Sequence, residues 1–220
     1  MKTPDLVFRG RRVSSDHALV LANVELLPSV SANGVAARET IRRAAGDGAD
    51  LVVLTAARGD AGDAEIERLV PLVEWAGETF PELVLGVGTR RAEVARAACS
   101  AGAHLIDAHG SFFEVAVEFG AGYVGSDVSE ALAAGVPRAG LVLDGGIVGT
   151  AGSMPEADGW PVALGVAGDG TPAGLALVAL VASAGVTIVR TAHVRQTRHA
   201  VEMAASIAGT RPPAKAVRWE

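Results

Sequence analysis

The stretch Gly48-Ala49-Asp50-Leu51-Val52-Val53-Leu54 sets a pattern that recurs along the chain. Three small or turn-forming residues lead directly into four consecutive branched apolar residues. A continuous apolar run of this kind predicts a strand that is buried on both faces, as in a parallel sheet. Related phrases precede later apolar runs, at Gly102-Ala103-His104 and at Ala184-Gly185-Val186. The sequence therefore predicts several copies of one turn-and-strand unit.

Outward from this stretch, short apolar runs alternate with helical segments. Helices are predicted over residues 35–45 and 65–75, and in the second Ile66, Leu69 and Val73 recur at helical spacing. Because parallel strands need crossover connections, and most of these are helical, the pattern predicts an α/β fold, a (β/α)8 TIM barrel. A doubly wound open sheet is the alternative. The eight predicted strands are 18–22, 51–54, 83–87, 104–106, 122–124, 141–144, 161–164 and 186–189.

The predicted barrel is a single domain over residues 1–220, with an N-terminal extension at 1–16 and a C-terminal tail at 209–220. A length of 220 residues is near the lower end for such barrels, which run from roughly 200 to more than 400 residues. The segment 145–159 has no apolar periodicity, and only a brief helix is expected around 129–134. The sequence therefore predicts a shortened barrel with reduced fifth and sixth helices.

The charge balance and the cysteine count argue against several classes of function. The formal net charge is −6 and no basic stripe stands out, so nucleic acid is not expected as a partner. The single Cys99 cannot form an internal disulfide and fits a reducing cytoplasm. Its helical surroundings predict a buried small residue rather than a nucleophile. Residues 1–12 lack the apolar core of a signal peptide.

An uncharged stretch, 171–189, is about long enough to span a bilayer. Ala184-Gly185 divides it, so we expect a helix over 172–184 followed by a buried strand, and no membrane span. Thr171 is a suitable N-cap and Pro172 suits the first helical position. Because this helix carries no charge on any face, it predicts a homodimer contact through 172–184. The alternative is an exposed, weakly apolar surface of alanines.

Polar residues at the ends of the predicted strands are the candidate ligand-binding residues, since barrels bind ligands at the C-terminal ends of their strands. Asp144 follows Leu141-Val142-Leu143 directly, and predicts either a carboxylate that accepts N–H groups of a ligand or a cap for the next loop. At two other strand ends, where an acid or a lysine would be useful, stand Gly88 and Gly165. The remaining candidates, Asn23, Asp107, Arg190 and His193, are identified through the family resemblance given below.

Three more of these candidates have a structural alternative. Asp107 can be a solvated loop residue, Arg190 a salt-bridge partner near the rim, and His193 a rim residue that begins the last helix. Arg190 and the glycine-rich loop 165–171, which leads into a helix, can together hold a small anion. The loop lacks the Gly-Lys-Ser/Thr of a Walker A motif, and no metal-binding spacing is present, so no metal site is predicted.

Several phrases, distributed in order along the chain, resemble the dihydropteroate synthase family, the pterin-binding barrels of folate synthesis. The last phrase resembles especially the divergent second paralogue that some high-GC bacteria carry beside the true synthase, and whose members are suspected of having left pteroate synthesis. The phrases are DGADLV at 47–52, ERLVPLVEW at 67–75, AEVARA at 92–97, VAVEFGAG at 115–122, and EMAASI at 202–207 with RPP at 211–213.

The resemblance implies roles for some residues. Asn23 matches the family's Asn that helps to hold pyrophosphate and Mg²⁺, so Mg²⁺ is expected only if a pyrophosphate ligand binds. Asp144 matches the family's pterin-binding Asp. Asp107 stands where an Asn is expected, Arg190 is kept, and His193 comes one position late.

The departures from the family pattern concern the chemistry. Gly88 replaces a pterin-facing acid, the segment 165–170 lacks the family's lysine, and 25–29 does not match the loop that closes over the substrate. We therefore expect a degenerate paralogue that keeps at most a small anion or pterin-like ligand. The alternatives are an active synthase or pterin-dependent methyltransferase, and a structural protein that acts as a homodimer.

Overall fold

A computed structural model describes residues 5–14, 16–26, 34–56, 62–149 and 156–212. A short antiparallel hairpin, β1 (Leu6–Phe8) and β2 (Arg11–Val13), precedes a closed barrel of eight parallel strands, each paired with its neighbours in chain order. The barrel strands are β3 (Leu19–Leu26), β4 (Leu51–Ala56), β5 (Val84–Thr89), β6 (Leu105–Ala108), β7 (Gly122–Gly125), β8 (Leu141–Val148), β9 (Val162–Val166) and β10 (Ile188–Thr191).

Helices follow most of the barrel strands and cover their outer faces. The predicted (β/α)8 barrel is confirmed, and the open-sheet alternative is wrong because β10 pairs with both β9 and β3. The helices are α1 (Val35–Gly46), α2 (Gly62–Thr79), α3 (Ala92–Ser100), α4 (Phe113–Phe119), α5 (Val128–Ala133), α6 (Pro172–Ser183) and α7 (Val194–Ile207).

The barrel is reduced where the sequence predicted it. Helix α5 has only 6 residues. The described residues between β8 and β9 contain no helix, and residues 150–155 of that connection lie outside the described part. Strand β8 is longer than predicted, because Gly145-Gly146 lets the ladder shift register and continue from Asp144 to Val148. Asp144 therefore lies at an irregularity within a strand rather than at its end.

The predicted N-terminal extension contains the floor of the barrel. Leu6 and Phe8 are fully buried among the inward-facing side chains of the barrel strands. The fit is close, since a Cβ at Gly122 would overlap the Phe8 ring. Arg9, in the turn of the hairpin, donates to the carbonyl oxygens of Cys99 (2.6 Å) and Ala103 (3.1 Å). The hairpin thus closes the N-terminal end of the barrel.

Two buried features of the outer layer agree with the sequence. Cys99 is fully buried in α3, and burial raises the pKa of its thiol to about 11, so it remains protonated and unreactive. Thr171 caps α6 by accepting from Gly174 N at 3.1 Å, and Pro172 occupies the first turn. Within the described ranges, no helix is long and apolar enough to cross a membrane.

Candidate functional site

A cavity of about 910 Å³ opens at the C-terminal ends of the barrel strands. We call it the barrel mouth. Along each strand successive side chains alternate between the interior and the outer layer, so the last inward position reaches this cavity. The inward apolar layer ends one step below it, and a charged side chain follows on three strands. These pairs are Leu105 and Asp107 on β6, Val142 and Asp144 on β8, and Ile188 and Arg190 on β10.

Arg190 joins two carboxylates across the barrel mouth. Its Nη2 donates to Asp107 Oδ1 at 2.9 Å and its Nη1 to Asp144 Oδ1 at 2.6 Å. The side chains are shielded, with exposed fractions of 12% for Arg190, 9% for Asp107 and 26% for Asp144. Bonds between ionised partners in such a place are the strong kind. The structure thus combines two alternatives that the sequence left open, since Arg190 lies in the cavity and is also a salt-bridge partner.

The two acids respond differently to this shared arginine. Burial raises the pKa of Asp107, and the charge on Asp144 adds to the effect, although Arg190 lowers it in part. Burial acts in the same direction on Asp144, but the charge and hydrogen bond of Arg190, with Gly146 N–H at 2.9 Å, outweigh it and hold the pKa of Asp144 below its usual value. Asp144 is therefore the firmly ionised member of the pair.

The arginine itself stays charged. Burial disfavours the guanidinium, but the two carboxylates outweigh burial and raise the pKa of Arg190. Its Nη1 also lies 3.4 Å from the Ala163 carbonyl oxygen, while its buried Nε finds no hydrogen-bond partner in the described part of the chain. All of the charge of Arg190 is thus balanced by the protein's own acids.

Asn23 and His193 lie in different surroundings. Asn23 is exposed in the C-terminal half of β3 and lines the mouth together with Glu25, two residues further along the same face. His193 does not belong to the cavity wall. It precedes α7, its Nε2 lies 3.8 Å from Asp169 Oδ1, and its ring covers Gly170, where a Cβ would overlap it. Of the five predicted residues, the structure brings together all but His193, and their roles remain predictions.

Asp169, which the sequence analysis did not single out, lines the cavity on the loop between β9 and α6. Its Oδ2 accepts from Thr191 Oγ1 at 2.5 Å and from the backbone N–H of Ala192 at 3.0 Å. The carboxylate therefore ties this loop to the end of β10. It also puts a negative charge on the very loop that was expected to hold an anion. No motif in the sequence marks this long-range contact.

The glycine at position 88 is matched by its neighbour. A Cβ at Gly88 would overlap Thr55 Oγ1, so the space beside this strand end is taken by the threonine of β4. An acid at this position, as the resemblance would require, needs Thr55 to move. Gly88 therefore leaves no empty space where the family has an acid, because Thr55 fills it.

No lysine is among the described residues that line the barrel mouth. The sequence has only two lysines, Lys2 and Lys215, and both lie outside the described residues. The lysine and arginine positions that line the described part of the mouth are all arginines, at 90, 91 and 190. Arg91 pairs with the buried Glu65 at 3.1 Å, which also accepts from Thr89 Oγ1. The predicted loop over 25–29 cannot be compared, because residues 27–29 lie outside the described part.

The chain resembles curated proteins along almost its whole length, although no family model matches it. It is 33% identical to inactive dihydropteroate synthase 2 of Mycobacterium tuberculosis (strain ATCC 25618 / H37Rv), over 95% of this chain and 89% of that protein. It is 32% identical to the protein of that name from Mycobacterium leprae (strain TN), over 95% and 97%. The first alignment spans 285 positions against 220 residues here, so that relative carries segments this chain lacks.

Solved structures share the architecture. That of Mycobacterium tuberculosis Rv1207 matches with a TM-score of 0.79 and 34% identity, over 96% of this chain and 99% of that one. A dihydropteroate synthase from Coxiella burnetii, in complex with pteroic acid, matches with a TM-score of 0.76 over 94% and 99%, at 18% identity. At that identity the second likeness shows the fold alone.

Proposed function

Because the chain belongs to the dihydropteroate synthase family, we propose that it is a member that does not condense a pterin with an aminobenzoate and that keeps a small-ligand site at the barrel mouth. It is a dihydropteroate-synthase-like barrel whose curated relatives are named inactive. The observation that carries the proposal is the bridge from Arg190 to Asp107 and Asp144.

The proposed loss of condensation activity follows from the shortage of unpaired cations among the residues described at the mouth. Displacing pyrophosphate from a methylene carbon develops negative charge on the leaving oxygens, which positioned cations must stabilise. Arg190 is already neutralised by two acids, and the loop after β9 lacks the lysine that the family resemblance calls for and carries an acid, Asp169. Arg91 is held by Glu65. Of the arginines among the described residues of the mouth, only the exposed Arg90 on the rim is then left to contact a leaving pyrophosphate.

Ligand binding rests on Asp144. Both of its hydrogen bonds among the described residues use Oδ1, which leaves Oδ2 to accept from a ligand. A pterin ring displays a 2-amino group beside a ring N–H, an edge that suits an ionised carboxylate. A cavity of about 910 Å³ is also of the size that small-molecule sites have. The proposed ligand is accordingly a small heterocycle with paired N–H donors.

Magnesium fits the mouth only as the companion of a phosphate ligand. Asn23 and Glu25 present an amide oxygen and a carboxylate on one face of β3, and Mg²⁺ prefers such oxygen ligands. Two protein ligands are few for a dedicated site, whereas Mg²⁺ is often held by one or two protein groups together with substrate phosphates. These residues would hold the ion, which would neutralise part of the phosphate charge.

The ligand site is tested by calorimetric titration with 6-hydroxymethylpterin. Wild type is expected to bind it, and Asp144→Asn to lose binding, because the amide presents a donor where an acceptor is needed. Asp127→Asn is the matched control, since Asp127 lies on a neighbouring rim loop and its carboxylate accepts only from Ser111 and Ser126 among the described hydrogen bonds. Unchanged affinity in Asp144→Asn contradicts the proposed site.

We further propose a homodimer through the helix 172–184. Leu180 of α6 is 66% exposed, and α7, which packs against α6, exposes Met203 and Ile207. No charged residue interrupts α6, so a second copy of the same uncharged helix is the suitable partner. Sedimentation velocity is expected to give a dimer for wild type and a monomer for Leu180→Glu. Ile147→Glu, an equally drastic change at an exposed apolar residue of β8, should leave the dimer intact, and a monomeric wild type contradicts the proposal.

The proposed compartment is the cytoplasm. The chain's single thiol, Cys99, is buried and makes no disulfide, which suits a reducing environment. Fractionation of cells that express the tagged chain tests this placement, and recovery in an extracytoplasmic fraction contradicts it.

A further inference from the structure

Asp107 and Asp144 hold Arg190 from two different strands. The two terminal nitrogens of the guanidinium each donate to a separate carboxylate, one on β6 and one on β8. A phosphate or carboxylate ligand binds arginine through this same pair of nitrogens. An anionic ligand would therefore have to displace one of the acids, or share the arginine with both.

The wider barrel mouth is also acidic. Among the described residues, five carboxylates line it against three guanidinium groups, so the described acids are in excess. Arg91 is paired with Glu65, and Arg90, the remaining arginine, is exposed on the rim. The acids are Glu25, Glu65, Asp107, Asp144 and Asp169, and the arginines are Arg90, Arg91 and Arg190.

We propose that Asp107 is an internal counter-ion of Arg190 that makes the barrel mouth reject polyphosphate anions and select neutral or cationic ligands with N–H donors. The proposal rests on the proposed function only in taking the mouth as the ligand site. Asp107 is the acid to which the selectivity is assigned, because it is the more buried of the two partners and its carboxylate has no hydrogen bond in the described structure other than that from Arg190. Asp144, by contrast, also accepts from Gly146 N.

The variant Asp107→Asn removes the charge of the side chain and keeps its shape. Its amide oxygen can still accept from Arg190 Nη2, so the geometry is kept, while one negative charge leaves the vicinity of the guanidinium. Asp127→Asn removes the same charge from a rim loop, with no contact to Arg190. The pair of variants therefore distinguishes a specific counter-ion from the general acidity of the surface.

The test is calorimetric titration with inorganic pyrophosphate, with and without Mg²⁺, at neutral pH. Asp107→Asn is expected to bind pyrophosphate at least about tenfold more tightly than wild type, because a like charge next to the anion is removed. Asp107→Ala, which lacks any side-chain acceptor, should shift in the same direction. Asp127→Asn should stay within about threefold of wild type, since that charge is more distant and screened.

Two results overturn the proposal. One is equal pyrophosphate affinity in wild type and both Asp107 variants, whether tight or weak, and the other is an equal gain in Asp127→Asn. Cooperative thermal unfolding of each variant shows that the comparison is made between folded proteins. Titration of the same proteins with 6-hydroxymethylpterin separates this proposal from the proposed function. A gain for pyrophosphate without any pterin binding contradicts only the latter, whereas pterin binding without the gain contradicts only the former.

Discussion

The floor and the mouth of this barrel are built from the same eight strands and differ in every other respect. At the floor, Leu6 and Phe8 complete an apolar layer, and Arg9 is satisfied by backbone carbonyl oxygens. At the mouth, an arginine is balanced against two carboxylates. Burying an apolar side chain stabilises the fold by about 1.5–3 kcal/mol, whereas a buried ion pair roughly breaks even. The two ends can therefore change independently, and the fold outlasts the loss of the family's site chemistry.

The largest expected effect on stability comes from a substitution at the floor of the barrel. Phe8→Ala should lower the free energy of unfolding by about 3–5 kcal/mol, because the ring fills the space above Gly122 and leaves a cavity when it is removed. Urea unfolding measures the change. Val35→Ala, at an exposed valine of α1, is the control and should cost little. A loss below about 1 kcal/mol for Phe8→Ala would show that the hairpin is not part of the core.

The next expected effect concerns the arginine of the mouth. Arg190→Gln should destabilise the protein by about 3 kcal/mol at neutral pH, since it leaves two shielded acids without their cation. The loss should shrink in acid, where the acids are neutralised by protons instead. The control is Arg90→Gln, at an exposed arginine on the same rim, and urea midpoints across a pH series give both values. Equal effects of the two variants contradict a special role for Arg190.

Within the mouth, Asp107 and Asp144 should contribute to stability with opposite pH dependence. The folded pKa of Asp107 is raised, so its stabilising contribution is full below the unfolded pKa and is lost as the pH rises through the folded value. The pKa of Asp144 is lowered, so its contribution is present above the unfolded pKa and is lost as the pH falls through the folded value.

The stabilities of Asp107→Asn and Asp144→Asn should therefore diverge as the pH rises. Asp107→Asn is expected to gain stability relative to wild type, because it removes a charge that burial disfavours. Asp144→Asn is expected to lose about 1–2 kcal/mol at neutral pH, since a charge-assisted hydrogen bond is replaced by a weaker one. Urea midpoints at acidic and neutral pH measure both, and parallel profiles for the two variants contradict the assignment.

The smallest expected effect is on the rate at which a thiol reagent reaches Cys99 beside the floor. Cys99 is fully buried, and its pKa is raised to about 11 by burial, so a thiol reagent should label native protein only through opening of the structure. Phe8→Ala should speed this labelling, because the carbonyl of Cys99 is held by Arg9 of the same hairpin. Fast labelling of native wild type at the rate of an unfolded control contradicts the burial.

How much the sequence predicts differs between the two ends. The barrel strands were recognisable because strands buried on both faces read as continuous apolar runs, such as Leu51-Val52-Val53-Leu54. The hairpin was missed because its strands have three residues each and β2 carries two arginines. The extension of β8 was missed because Gly145-Gly146 has the composition of a loop, although it forms an irregular stretch of strand.

At the mouth, the sequence predicted which residues lie there but not which of them form ion pairs. Asp144 was found because it follows an apolar run, and strand ends meet at one edge of a parallel barrel. Asn23, Asp107 and Arg190 were identified through the family resemblance. The pairing of Arg190 with both acids joins residues that are far apart in sequence, which no local pattern encodes. The contacts of Asp169 with the end of β10, and the position of His193 outside the cavity wall, also depend on residues that are distant in sequence.

The central claim is that a mouth whose arginine is neutralised, and which has no lysine among its described residues, cannot join two folate precursors. Its most direct test is a condensation assay with 6-hydroxymethyl-7,8-dihydropterin pyrophosphate, 4-aminobenzoate and Mg²⁺, with a working synthase in parallel. The expected result is no product above the enzyme-free background. Turnover at about 1 s⁻¹ or faster, the range of ordinary enzymes, would contradict the account.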